Sequence, residues 1–275
     1  MSTVLSSTDL AIGAVDLVKS YPGGRGHEPV RALAGLSLGV AAGTVVGLLG
    51  PNGAGKSTAV KILTTLARPD SGRANVAGVD VGTDPQAVRR VIGLVAQKAS
   101  SDPVATGREN LVMAARIQGL SRQDAGRRAE ELLERFGLGD AADRLVRTYS
   151  GGMARKLDVA IGLVHRPAVL FLDEPTTGLD PEARADMWAE ISTLSTDERT
   201  TVLLTTHYLD EADRLADRVV IVDHGRVVVE GVPDELKREL DDDLVAVAAA
   251  RASVGPTLDD VYLRHVGRTL EGGRL

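Results

Sequence analysis

Gly50-Pro51-Asn52-Gly53-Ala54-Gly55-Lys56-Ser57 follows the apolar, β-branched run Thr44-Val45-Val46-Gly47-Leu48-Leu49 and leads into a helix-like stretch over residues 57–66. Strand, glycine-rich loop and helix in that order are the setting required for the pattern G-x-x-x-x-G-K-[ST]. The glycines let successive backbone N–H groups converge on phosphate oxygens, and the helix start adds its partial positive charge. In this pattern Lys56 reaches the β/γ-phosphates and Ser57 offers a hydroxyl to Mg²⁺.

Further apolar runs at 91–96, 169–173, 202–206 and 219–223 read as buried strands, with helical stretches between several of them. Such alternation indicates an α/β fold. His224-Gly225 lies between the last run and 226–230 like a tight hairpin turn, so the sheet is mixed and mainly parallel. Over 108–145 the strands stop, and Leu111, Ala115, Ala129, Leu132, Leu133 and Phe136 recur at helical spacing, as in an inserted helical subdomain. The acidic Asp241-Asp242-Asp243 reads as a solvated linker or turn. Residues 32–55 carry no charged side chain, but their seven glycines with Pro51 and Asn52 suit strand, turn and strand better than a membrane helix.

The 275 residues include 43% hydrophobic and 25% charged side chains, an ordinary folded composition. A net charge of -6 argues against a surface built for a phosphate backbone, and no nucleic-acid partner is expected. Seven aromatic residues (Tyr21, Phe136, Tyr149, Phe171, Trp188, Tyr208 and Tyr262) are too few for a base-stacking platform. There is no cysteine, which excludes disulfides and thiolate metal sites. The first fifteen residues lack a basic segment, so no secretory leader is expected.

The run 168–172 ends in Asp173-Glu174, an arrangement suited to one acid holding Mg²⁺ while the next addresses a water. Adjacent side chains on an extended chain point apart, which allows that division. Before this pair comes Tyr149-Ser150-Gly151-Gly152-Met153, where Ser150 also reads as the N-cap of a helix through Leu163. Gln97 follows a strand, Thr176-Thr177-Gly178-Leu179-Asp180 follows the carboxylates, and Thr205-Thr206-His207 ends another strand.

With these motifs in this order, residues 10–240 resemble the ATP-binding subunit of an ABC transporter. The Tyr-Ser-Gly-Gly-Met form and the tail Pro256-Thr257-Leu258-Asp259-Asp260-Val261-Tyr262-Leu263 are most similar to the daunorubicin-resistance type of drug-export ATPase. Relatives usually have Leu and Gln where this chain has Tyr149 and Met153. The resemblance implies a P-loop ABC cassette over 8–240, with a helical subdomain at about 100–165, and a short C-terminal extension over 241–275. It implies ATP and Mg²⁺ as ligands. Gly50, Asn52, Gly53, Ala54, Gly55, Lys56, Ser57 and Thr58 would hold the nucleotide, with Tyr21 stacked on its base. Glu174, His207 and Gln97 would act in catalysis, and Ser57, Gln97 and Asp173 at the metal.

In this family two cassettes meet head to tail, so Ser150, Gly151, Gly152 and Asp180 would complete the site of a second copy. A separate membrane permease would receive the work of hydrolysis, through a groove near Gln97 and residues 101–110. That partnership puts the chain at the cytoplasmic face of the plasma membrane, and antibiotic or drug export is the expected task. An importer subunit would share every motif. A soluble ABC-type ATPase of DNA repair or translation is the other class, but the stretch between Lys56 and Ser150 is too short for the long coiled coil of repair members.

Overall fold

A computed structural model of the chain describes residues 10–23, 28–196, 199–245 and 257–267. The first half runs β1 (Leu10–Tyr21), β2 (Val30–Ala41), β3 (Val45–Leu49), α1 (Lys56–Leu63), β4 (Ser71–Val76), β5 (Val79–Asp80), α2 (Pro85–Val91) and β6 (Ile92–Val95). Then come α3 (Gly107–Ile117), α4 (Arg122–Arg135), α5 (Gly151–Gly162), β7 (Val169–Asp173), α6 (Pro181–Thr196), β8 (Thr201–Thr206) and α7 (Leu209–Leu215). β9 (Arg218–Asp223), β10 (Arg226–Gly231), α8 (Pro233–Val245) and α9 (Leu258–Tyr262) complete the order.

Two sheets form. The larger has the order β10-β9-β3-β8-β7-β6; β9, β3, β8, β7 and β6 pair in parallel and β10 antiparallel. Its parallel strands are apolar and buried nearly throughout, as strands covered on both faces must be. The β9–β10 hairpin turns at His224 and Gly225 with φ of 46° and 74°, the two left-handed residues of a primed two-residue turn. A second, antiparallel sheet, β2-β1-β4-β5, is not foreseen from the sequence beyond the extended reading of 32–55.

One apolar core lies between the two sheets and includes α1, with Ile12, Leu36, Ile62 and Phe171 in it. The other face of the main sheet packs on α5 and the inserted helices; Leu111, Ala115, Ala129, Leu132, Leu133 and Phe136 are all buried there. These helices begin at strong caps: Thr106 and Glu109 form a reciprocal capping box, and Ser121 accepts Asp124 N–H. A third cluster joins Leu49, Ala212, Ile221 and Leu236 to Leu258, Val261 and Val266, so the tail beyond Thr257 packs back on the fold.

One reading is corrected: Asp241–Asp243 lie within α8, a helix that opens at Pro233, where proline suits the first turn, and runs past the boundary at 240 to Val245. Residues 1–9, the greater part of the fifteen on which the leader reading rests, and Pro256 lie outside the described residues, while 10–15 belong to β1. Among the described residues no helix is long and apolar enough to cross a membrane.

Candidate functional site

The loop over residues 50–57 joins the C-terminal end of the central strand β3 to α1, where ligands of parallel α/β sheets bind. Gly50 has φ 154° and Gly55 φ 109°, and a Cβ would sit 2.2 Å from Val222 O at the first and 2.5 Å from Ala32 O at the second. Neither position admits a side chain. The loop is braced from behind, where Gly225 N–H donates to Ala54 O and Ala34 N–H to Gly225 O. The Gly55 N-cap of α1 provides no side-chain cap, leaving its first N–H groups turned to the loop.

Lys56 is only 6% exposed and donates to Gly50 O (2.6 Å) and Pro51 O (3.2 Å). Burial pushes its ammonium below the ordinary lysine value, and the Glu174 and Asp173 carboxylates act against that shift. Ser57 is exposed beside it and Thr58 half-buried. Asn52 and Gly53 are exposed at the loop tip, whereas Ala54 is buried. Tyr21 pairs with Val30 at the end of β1, and Lys19 Nζ lies 5.6 Å from the centroid of its ring.

Three strand ends, those of β6, β7 and β8, come together at Glu174. Gln97 Nε2 donates to Glu174 Oε2 (2.9 Å), Thr177 Oγ1 donates to the same oxygen (3.3 Å), and His207 Nδ1 lies 3.3 Å from Glu174 Oε1. Glu174 itself has φ 50°, an uncommon conformation for a residue with a side chain. Thr205 pins it: Thr205 Oγ1 donates to Asp173 Oδ1, while Glu174 N–H is shared between Thr205 O and Oγ1. The donor set of Ser57 hydroxyl, Asp173 carboxylate and Gln97 amide is all hard oxygen, the chemistry that suits Mg²⁺.

Ser150, Gly151 and Gly152 stand at the start of α5, where Ser150 Oγ accepts Met153 N–H (3.2 Å) as the N-cap. Ser150 and Gly151 are exposed, and a Cβ on Gly151 would meet nothing within 4 Å. Asp180 is exposed too and accepts Ala183 N–H at the start of α6. Thus Gln97, Glu174 and His207 form one bonded cluster, and the Asp173 and Glu174 charges reach Lys56. Ser150, Gly151 and Asp180 are instead offered to solvent, while Gly152 is half-buried against Ala183. Tyr149, the departure from Leu, donates from its hydroxyl to Ala141 O (2.7 Å) and packs where Gly107 has no side chain.

Sequence reasoning missed three polar side chains in this region. Arg155 and Asp158 on α5 are 9% and 2% exposed. Glu211 on α7 is fully buried and accepts Thr176 Oγ1 (2.7 Å) and Trp188 Nε1 (3.1 Å), joining the segment after Glu174 to α6. Its position four residues after His207, on the apolar face of a helix, was the available signal. A groove of about 340 Å³ lies between the main sheet and the inserted helices, lined by Leu66, Ile92, Leu94, Ile117, Ile161 and His165. Neither Gln97 nor residues 101–110 line it.

The sequence profile of the family described as ABC transporter matches residues 33–177. Among curated proteins, the daunorubicin/doxorubicin resistance ATP-binding protein DrrA of Streptomyces peucetius is 56% identical over 230 residues, covering 84% of this chain and 68% of that protein. The doxorubicin resistance ATP-binding protein DrrA of Mycobacterium tuberculosis is 45% identical over 263 residues, covering 92% and 78%. A dimeric ATP-binding cassette solved in a post-hydrolysis state with ADP and Pi superposes with a TM-score of 0.73 at 25% identity, covering 80% of this chain and 98% of that one. An ATP-binding subunit of an ABC transporter gives 0.74 at 29% identity, covering 92% and 98%.

Proposed function

This chain belongs to the ABC transporter ATP-binding family and is an ATPase homologous to drug-resistance export subunits, and from that premise we propose that it powers a separate permease exporting a drug or antibiotic. The single observation that carries the chemistry is the convergence of Gln97, Thr177 and His207 on one carboxylate, Glu174, close enough to Lys56 for the two charges to act on each other. In this reading the loop N–H groups of 50–58 and Lys56 bind the β- and γ-phosphates of ATP, and Tyr21 covers the base. Ser57, Asp173 and Gln97 would hold Mg²⁺, which when bound would neutralise phosphate charge. Glu174 accepts a proton from the attacking water, Gln97 orients that carboxylate, and His207 bonds the γ-phosphate as charge moves onto it.

The exposed start of α5 and Asp180 fit a second copy, whose phosphate loop they complete; the similar cassette solved with ADP and Pi is a dimer. We assign 8–240 to the cassette, with about 100–165 as its helical part, and 241–275 to a C-terminal extension. The apolar groove beside Leu66 and Ile117, which are 65% and 77% exposed, suits an apolar permease segment at the cytoplasmic face of the membrane.

The test is Glu174→Gln. The amide keeps the shape and can still bond water, but it takes no proton. Turnover is expected to fall about 10²- to 10⁴-fold with ATP affinity kept. Phosphate release at the wild-type rate would remove Glu174 from the base role.

A further inference from the structure

Arg155 stands in the second turn of α5 with its guanidinium spent entirely on main-chain carbonyls of two distant segments. Nε donates to Pro175 O (2.8 Å), Nη1 to Ala96 O (2.7 Å), and Nη2 to both Asp173 O (3.1 Å) and Glu174 O (3.2 Å). Ala96 immediately precedes Gln97, and the other three carbonyls bracket Glu174. The side chains of Gln97 and Glu174 are themselves bonded. One turn on, Asp158 accepts Ser100 N–H, Ser100 Oγ and Ser101 N–H at 3.0, 3.1 and 3.0 Å. Helix α5 thereby grips the Gln97 segment at both ends and the Glu174 backbone at its centre.

The grip matters because Glu174 has φ 50°. A side-chain-bearing residue in that region is strained and persists only where its surroundings over-determine it. Thr205 holds its N–H, and Arg155 holds the carbonyls on either side. We infer that Arg155 is a positioning residue that keeps Glu174 in its strained, reactive conformation and makes it move with helix α5. This rests on the ATPase reading above. There, the N-terminus of α5, about 7.5 Å along the axis from Arg155, meets the nucleotide of the second copy. Occupancy of one site is then felt at the Glu174 of the other.

The experiment uses the full chain and compares wild type, Arg155→Ala, Arg155→Lys and the control Lys156→Ala. Lys156 pairs with Asp186 of α6, away from the Gln97 and Glu174 segments, and its loss should leave turnover unchanged. Arg155→Ala should lower kcat by about 10²-fold, the scale of an ångström-sized misplacement, with ATP binding and KM kept. Millimolar guanidinium should restore kcat by occupying the vacated space and donating to the same carbonyls. It cannot restore the tie to α5, so the rescued enzyme should show a Hill coefficient of one for ATP where wild type exceeds one. Arg155→Lys keeps the charge, but one nitrogen cannot serve both segments, and it should lose kcat as the Ala variant does while melting like wild type.

Wild-type kcat in either folded variant, or no rescue of folded Arg155→Ala, would overturn the positioning role. Equal Hill coefficients in wild type and rescued enzyme would overturn the tie. Loss of the folded state in both variants would make Arg155 a structural residue and overturn it as well. A wild-type chain that neither binds nor hydrolyses ATP is a different failure, that of the ATPase reading itself.

Discussion

The chain has two glycine-rich helix starts, residues 50–57 ahead of α1 and 150–152 ahead of α5, and they sit in opposite settings. The first is walled in: backbone presses on Gly50 and Gly55, Lys56 is buried, and two carboxylates face it. The second is open, with Gly151 facing empty space and the Ser150 hydroxyl spent on its own helix at Met153 N–H. Both offer N–H groups suited to phosphate. Only the first has the cation and acids of a site within its own chain, so the second is read as a half-site that waits for another chain.

The sharpest way to break this comparison is to disable each start separately. Lys56→Ala should weaken ATP binding by the isolated chain by about ten- to a hundredfold, the worth of charge-assisted hydrogen bonds of about 1.5–3 kcal/mol. Ser150→Ala should leave isolated-chain binding intact and reduce only the turnover of the assembled enzyme. Nucleotide titration of both variants checks this; equal losses of binding would erase the distinction.

Stability gives a smaller test within the second start. A Cβ on Gly152 would lie 2.9 Å from Ala183 Cβ, between α5 and α6, so Gly152→Ala should destabilise the fold by about 1–3 kcal/mol. Gly151→Ala meets open space and should be neutral or stabilising by up to about 1 kcal/mol. Urea unfolding distinguishes the two; matching midpoints would mean that α5 and α6 do not pack as described.

The smallest effect separates the groove from both starts. Burial pushes the His165 ring below the ordinary value of 6.5; its bond to Ile92 O opposes this and Arg128 adds to it. As pH falls below 6.5 the unfolded chain takes up that proton before the folded one, so stability drops on acidification and is flat above. His165→Gln should flatten this slope in unfolding midpoints between about pH 7.5 and 5.5. An unchanged slope would assign the acid sensitivity elsewhere.

What could be read from sequence follows how local each signal is. The phosphate loop, the strand ending in Asp173-Glu174 and the His224-Gly225 turn are contiguous, and each has a spacing that only a few structures satisfy. The antiparallel sheet was not legible because its strands break their own alternation. β1 shifts register around Asp16, which has φ 52°, and β4 is Ser71-Gly72-Arg73-Ala74-Asn75-Val76, with half its residues polar or charged. Arg155, Asp158 and Glu211 escaped for a related reason. A charged residue in an amphipathic helix reads as solvent-facing, and their partners are carbonyls, N–H groups and hydroxyls supplied by segments far away in the sequence.

The most direct measurement of the two-chain site uses the absence of cysteine from this chain. One copy carries Asn52→Cys and the other Gly151→Cys, both exposed positions, each in the Glu174→Gln background that holds ATP unhydrolysed. Mixed and oxidised, the two copies should crosslink to each other with ATP and Mg²⁺ present and remain separate without nucleotide. No crosslink between copies when ATP is demonstrably bound, together with a crosslink inside a single copy carrying both cysteines, would contradict the account.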